Sequence, residues 1–178
     1  MRPLISDSDW QRAPTAAGPY RPWLTDRGSL TARIAARYPG VWVKVVFQGL
    51  RRPDLDERFV FADGGQARVL VREVLLCCGE TPVVFAHTVL RPQDLNGPWR
   101  SVARLGSRPL GAALFADPRI RRFPLRQRKI GVHHELHGRM RTHVVRVPDI
   151  VWARRSLFRL HDSPILVTEV FLPEILAL

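Results

Sequence analysis

PILVTEVFLP, residues 164–173, reads as a strand buried on both faces, with one residue out of keeping. Ile165, Leu166, Val167, Val170, Phe171 and Leu172 are the β-branched and bulky apolar side chains that a packed sheet favours. Glu169 stands in their middle. A buried, unpaired carboxylate costs several kcal/mol, so this glutamate is paired, protonated or turned toward a cavity. Just upstream, IVWARRSLFRL (150–160) and the turn HDSP supply the other arm of a closing hairpin.

Further strands appear on working back from that hairpin. VWVKVVFQ (41–48) alternates as a strand does, and RVLVREVLLCC (68–78) is apolar on both faces, which predicts a central position. GETP (79–82) turns the chain into VVFAHTVL (83–90). Between the first two strands lie the polar loop RRPDLDER and the turn ADGG (62–65). Ser29 caps a helix in LTARIAARY that Pro39-Gly40 ends. PQDLNGPWRSVARLG (92–106) reads as a broken helix and RPLGAALF (108–115) as a short helical turn. The basic residues 118–148 suggest a ragged pair of strands, and residues 1–22, rich in Pro, Ser and Ala, a loosely packed arm. Strands outnumber helices and tight turns join them. The expected fold class is α+β: one antiparallel sheet with helices packed on one side, as a single domain over 1–178.

The 46% of apolar residues is normal for a globular chain, and no run approaches the ~20 apolar residues of a membrane-spanning helix. MRPLISDSDW has no stretch apolar enough for a signal peptide. Cys77 and Cys78 are adjacent and make no ordinary disulfide, so a reduced, cytoplasmic setting is expected. Charge is the outlier: 28 Lys plus Arg against 16 Asp plus Glu gives +12, and Lys44 and Lys129 are the only lysines. Such an excess serves a solvated basic surface, phosphate contacts to nucleic acid, or attraction of a small anion into a cleft. Trp42, Trp99 and Trp152 lie in apolar contexts, which disfavours a nucleic-acid platform. No P-loop, G-x-G-x-x-G or G-x-S-x-G is present.

Alternation puts Arg72 on one face with Leu70, Val74 and Leu76, and Glu169 on one face with Ile165, Val167 and Phe171. Each strand thus carries one charge on a greasy face. Two readings stand: a buried ion pair, with each other or with neighbours such as Glu73 or Arg155, or a closed pocket with a cation at one end and an acid at the other. His87, in an apolar strand, is a hydrogen-bonded core histidine or a ligand contact. In HHELHGRMRTH (133–143) the spacing is not H-E-x-x-H and no cysteine lies nearby, so no metal site is assigned to this loop-like stretch. Cys77-Cys78, at a strand end, reads as core and turn.

WLTDRGSLT, VREVLL, the P-x-x-x-A-x-T-V-L-x-P strand, LGSRPLGAALF, WARRSLF and LVTEVFLP follow one another in the order found in the chorismate pyruvate-lyase family. From about Trp23 to Pro173 the chain resembles that family, most of all in TEVFLP and least in residues 119–149. The resemblance implies removal of pyruvate from the chorismate dianion to leave 4-hydroxybenzoate, the ring precursor of ubiquinone. It implies an antiparallel sheet with helical flaps over a buried ligand pocket, no metal or organic cofactor, no nucleic-acid partner, no stable membrane insertion, and a monomer. It also implies that Arg72 holds the ring carboxylate and Glu169 faces the 4-hydroxyl, with Leu30 in GSLT and Leu110 in RPLG as flap positions that close partly through backbone amides. Family members often carry Gly-Arg where this chain has Ala86-His87. If that arginine neutralises substrate, His87 does so only when protonated, or Arg155 or Arg154 shares the task. The same fold type is similar to effector-sensing domains of bacterial regulators, which bind small ligands without turnover and sit behind a helix-turn-helix, for which no segment here is a candidate.

Overall fold

A computed structural model describes residues 9–61 and 63–178. Among them, the apolar alternation folds into seven strands: β1 (Val41–Arg51), β2 (Val69–Cys78), β3 (Thr81–Leu90), β4 (Arg121–Arg122), β5 (Arg126–Gly131), β6 (Ile150–Leu160) and β7 (Ser163–Phe171). They form one antiparallel sheet in the order β1-β2-β3-β7-β6, with β4 and β5 pairing successively along the far edge of β6. The two-sided apolar strands β2 and β7 are interior, as their composition demands. β1 runs three residues further than the alternation suggested, past a register irregularity between Val45 and Phe47.

Register sets out the site. Arg72 pairs with Thr88, Thr88 with Val167 and Val167 with Ser156, making one row across four strands. The next row on the same face is Val74, Ala86, Glu169 and Arg154. Side chains along such rows touch, because paired positions on one face lie about 5 Å apart.

Four short helices cover this face: α1 (Arg21–Thr25), α2 (Leu30–Ala35), α3 (Arg100–Ala103) and α4 (Leu110–Ala116). Ser29 caps α2 by accepting a hydrogen bond from the Ala32 N–H, the role its sequence position assigned. Gly111 lets α4 close on that cap, since a Cβ there would meet Ser29 Oγ at 2.8 Å. The broken helix over 92–106 is a 3-10 turn at Pro92–Asn96 followed by α3.

Two segments depart from expectation. The arm is not loose where it is described: Trp10 is 2% exposed in the core, and Gln11 exchanges two 2.8 Å backbone hydrogen bonds with Gln127 on β5. Residues 1–8 of the arm, and Ala62 of the ADGG turn, lie outside the described residues. The basic segment holds two strands, β4 and β5, but also a helix, α5 (Glu135–Arg141), through the middle of HHELHGRMRTH. Its Leu136 and Met140 pack against Leu75, Phe85 and Val170 on the sheet's other face, and His134 Nδ1 accepts from the Leu136 N–H to cap it. One apolar i,i+4 pair among histidines and arginines is too little pattern for a helix to be read from sequence. Among the described residues no helix is long and apolar enough to cross a membrane.

Candidate active site

The two rows of paired residues form the floor of a cavity roofed by α2 and α4. Leu30 and Leu110 stand in its wall with Val74, Leu76, Leu114 and Phe158. Its non-atom space, mouth included, is about 630 Å³. That is a small, tight, mostly apolar site of the kind that encloses a small molecule.

Arg72 enters from β2 and is 2% exposed. Its Nη2 donates to the carbonyls of Gly106 (2.9 Å) and Arg108 (3.4 Å), and its Nε has no hydrogen-bond partner among the described residues. Gly106 adopts a positive φ of 54°, which a residue with a side chain would resist, and so turns its carbonyl to this guanidinium. No described carboxylate lies within ion-pair distance of Arg72, and burial alone pushes its pKa below the ordinary arginine value. A buried cation without an anion is costly. The cavity therefore favours an anionic occupant at this end.

Glu169 is not alone. Its Oε2 accepts from Arg154 Nε at 2.5 Å, while its side chain keeps 18% exposure against 1% for Arg154. Arg154 Nη1 also donates to the carbonyls of Trp23 (2.7 Å) and Asp26 (2.8 Å), tying the α1–α2 connection to the sheet. Both readings of the glutamate hold in part: it is ion-paired, and it lines the cavity. Its partner is Arg154, not Arg72 or Arg155.

A third guanidinium, Arg122 of β4, also lines the cavity. It donates from Nε to Ser156 Oγ (3.0 Å) and from Nη1 to the Arg27 carbonyl, and lies 5.2 Å over the rings of both Phe115 and Phe158. Burial, then the nearby Arg154, lowers its pKa. Three guanidiniums against one carboxylate leave the wall with two positive charges.

His87 and Arg155 do not belong to this site. The cavity is lined by Ala86 and Thr88, so His87 points through the opposite face. There it is fully buried, with Nε2 2.9 Å from Glu57 Oε1 and Nδ1 3.0 Å from Glu73 Oε1. Burial would push His87 down, but the Glu57 and Glu73 carboxylates outweigh it and hold the pKa up at about 9. The core-histidine reading applies, and His87 supplies no charge to the cavity. Arg155 lies on that opposite face too, 3.0 Å from Asp56 and 4.1 Å over the Trp10 ring. The ligand atoms of Asp54, Glu57 and His87 fall within 4.8 Å of one another, but Arg139 already pairs with Asp54 and reaches Glu73, which balances the cluster as it stands. In HHELHGRMRTH, His137 is 2.8 Å from the Pro148 carbonyl while His134 turns to Asp56, so these histidines do not converge.

Sequence reasoning gave Arg154 only as an alternative and missed Arg122. The adjacent arginines of WARRSLF point to opposite faces, and only the β6–β7 register selects which meets Glu169. Arg122 sits in the basic segment that carried no pattern.

A family model described as chorismate lyase matches residues 4–177. A protein of Nitrosomonas europaea named "Probable chorismate pyruvate-lyase" is 48% identical over 167 residues, 93% of this chain and 94% of its own. One of the same name from Nitrosospira multiformis is 49% identical over 173 residues, 96% of each chain. Among solved structures, the PhnF C-terminal domain superposes with a TM-score of 0.54 at 12% identity, covering 75% of this chain and 83% of that one, a likeness of fold.

Proposed function

This chain belongs to the chorismate lyase family, and on that premise we propose that it eliminates pyruvate from chorismate to give 4-hydroxybenzoate, feeding ubiquinone synthesis, as a cytoplasmic monomer that needs no metal or organic cofactor. The observation that carries the reading is Arg72, a buried guanidinium with no carboxylate partner among the described residues, at one end of an apolar cavity whose wall bears two net positive charges. Chorismate brings two carboxylates, which match that charge.

In this reading Arg72 holds the ring carboxylate through a charge-assisted fork. Glu169, fixed by Arg154, accepts a hydrogen bond from the 4-hydroxyl. The C3–O bond then breaks, its electron pair leaves with the enolpyruvyl oxygen, and the C4–H pair becomes part of the aromatic ring. The C4 proton ends on the departing three-carbon fragment, which becomes pyruvate. Aromaticity drives the step, so the protein supplies geometry more than a nucleophile. Leu30 and Leu110 close over the ring and keep water from the fragment as it leaves.

Glu169→Gln keeps the shape but not the charge that orients the 4-hydroxyl and assists proton movement. It is expected to lower kcat by about 10²-fold or more, with a smaller change in KM. Steady-state kinetics at saturating chorismate check this, and a kcat within a few-fold of the unaltered protein takes Glu169 out of the chemistry. A likeness of fold to the "ligand-binding domain of a putative GntR-family transcriptional regulator from Bordetella bronchiseptica" (TM-score 0.52, 13% identity) leaves a second reading, in which chorismate is bound but not turned over.

A further inference from the structure

We propose that Arg122 binds the enolpyruvyl carboxylate and so distinguishes substrate from the aromatic product. The inference rests on the lyase reading and concerns a residue from the segment least like the family. Ser156, which anchors Arg122, closes the same sheet row that Arg72 opens. Three strand spacings of about 4.8 Å put the two ends of that row roughly 14 Å apart. Cations thus face each other across the cavity, with Glu169 one row away. With the ring carboxylate on Arg72 and the 4-hydroxyl on Glu169, the adjacent C3 substituent extends toward β6 and β4, where Arg122 stands.

The guanidinium is prepared for an anion. Nε and Nη1 are fixed by Ser156 and by the Arg27 carbonyl, and Nη2 has no hydrogen-bond partner among the described residues. The rings of Phe115 and Phe158, themselves edge to face at 5.9 Å, each lie 5.2 Å from the guanidinium carbon. No described carboxylate lies within ion-pair distance of it, and the nearby Glu169 pairs with Arg154. Arg154 is spent on an internal pair, so of the three guanidiniums Arg72 and Arg122 are the two left to meet two carboxylates.

The Arg27 contact gives Arg122 a rival role as a latch on the loop leading into α2. The two roles separate by ligand. 4-Hydroxybenzoate has the ring carboxylate and the hydroxyl but no enolpyruvyl group. In Arg122→Gln, KM for chorismate is expected to rise about 10- to 100-fold, the value of a charge-assisted hydrogen bond, while inhibition by 4-hydroxybenzoate stays within about twofold. Arg122→Lys should recover part of the KM and serves as the test should the glutamine variant fail to fold. An unchanged KM, or a product inhibition constant that weakens in step with KM, overturns the proposal. The unaltered protein in the same assay keeps the two levels apart: if it makes no product, the lyase reading falls and this inference with it, whereas active protein with an indifferent Arg122→Gln variant refutes the inference alone.

Discussion

Arg72→Ala is expected to lower kcat/KM for chorismate by about a thousandfold while leaving the thermal unfolding midpoint unchanged or slightly raised. The two halves of that result have one cause. Among the described residues Arg72 is buried without an anion, so the folded protein bears its desolvation and recovers two backbone hydrogen bonds there. An uncompensated buried charge is itself destabilising, so its removal offsets the loss of those two hydrogen bonds. The ligand, by contrast, loses its counter-charge in a tight cavity. Truncating one member of a buried, hydrogen-bonded charge pair costs about 2–5 kcal/mol, and about 4 kcal/mol corresponds to a thousandfold. Calorimetry should show 4-hydroxybenzoate affinity falling in parallel, unlike the expectation for Arg122→Gln. Activity within tenfold of the unaltered protein would remove Arg72 from the site.

His87→Leu is expected to do the reverse: little direct effect on the chemistry, and a large loss of stability. The imidazole lies between Glu57 and Glu73, both almost wholly buried. Burial pushes each carboxyl up, and contact with His87 outweighs that and holds each below its ordinary value. Without the imidazolium, Glu57 in particular is left without a cation, at a cost of roughly 3–5 kcal/mol, or about 10 °C in melting temperature for a chain of this size. The pH dependence follows from the raised pKa. His87 is held at about 9 against an ordinary 6.5, so its contribution is complete below pH 6.5 and is lost as pH rises through 9. Asp54, raised to about 8 first by burial and then by neighbouring acids, adds to the loss up to about pH 8, because until then the folded chain retains a proton that the unfolded chain releases. Melting curves from pH 6 to 10 should fall for the unaltered protein and fall less steeply for His87→Leu. Equal melting temperatures for the two proteins at pH 7 would contradict this account.

What could be read from the sequence is what alternation and turn chemistry encode. The hairpins 68–90 and 150–173, the Ser29 cap, and the placement of Arg72 and Glu169 on apolar faces all follow from local pattern. What could not be read depends on pairing between strands distant in sequence. His87 stood open between a core histidine and a ligand contact, and the pairing of Arg72 with Thr88 turns it to the other face. Arg155 and Arg154 were equivalent until the pairing of Arg154 with Glu169 chose between them. Trp10 looked like part of a loose arm because its burial arises entirely from tertiary contacts. Arg122 lies on a two-residue strand in a run of arginines, where no periodicity marks one as different.

The most direct test of the central claim is to incubate the purified protein with chorismate and follow 4-hydroxybenzoate and pyruvate together, with and without EDTA. The account predicts that both appear in equal amounts, at rates that EDTA does not alter. Chorismate that binds while neither product forms would contradict it and mark the domain as a sensor.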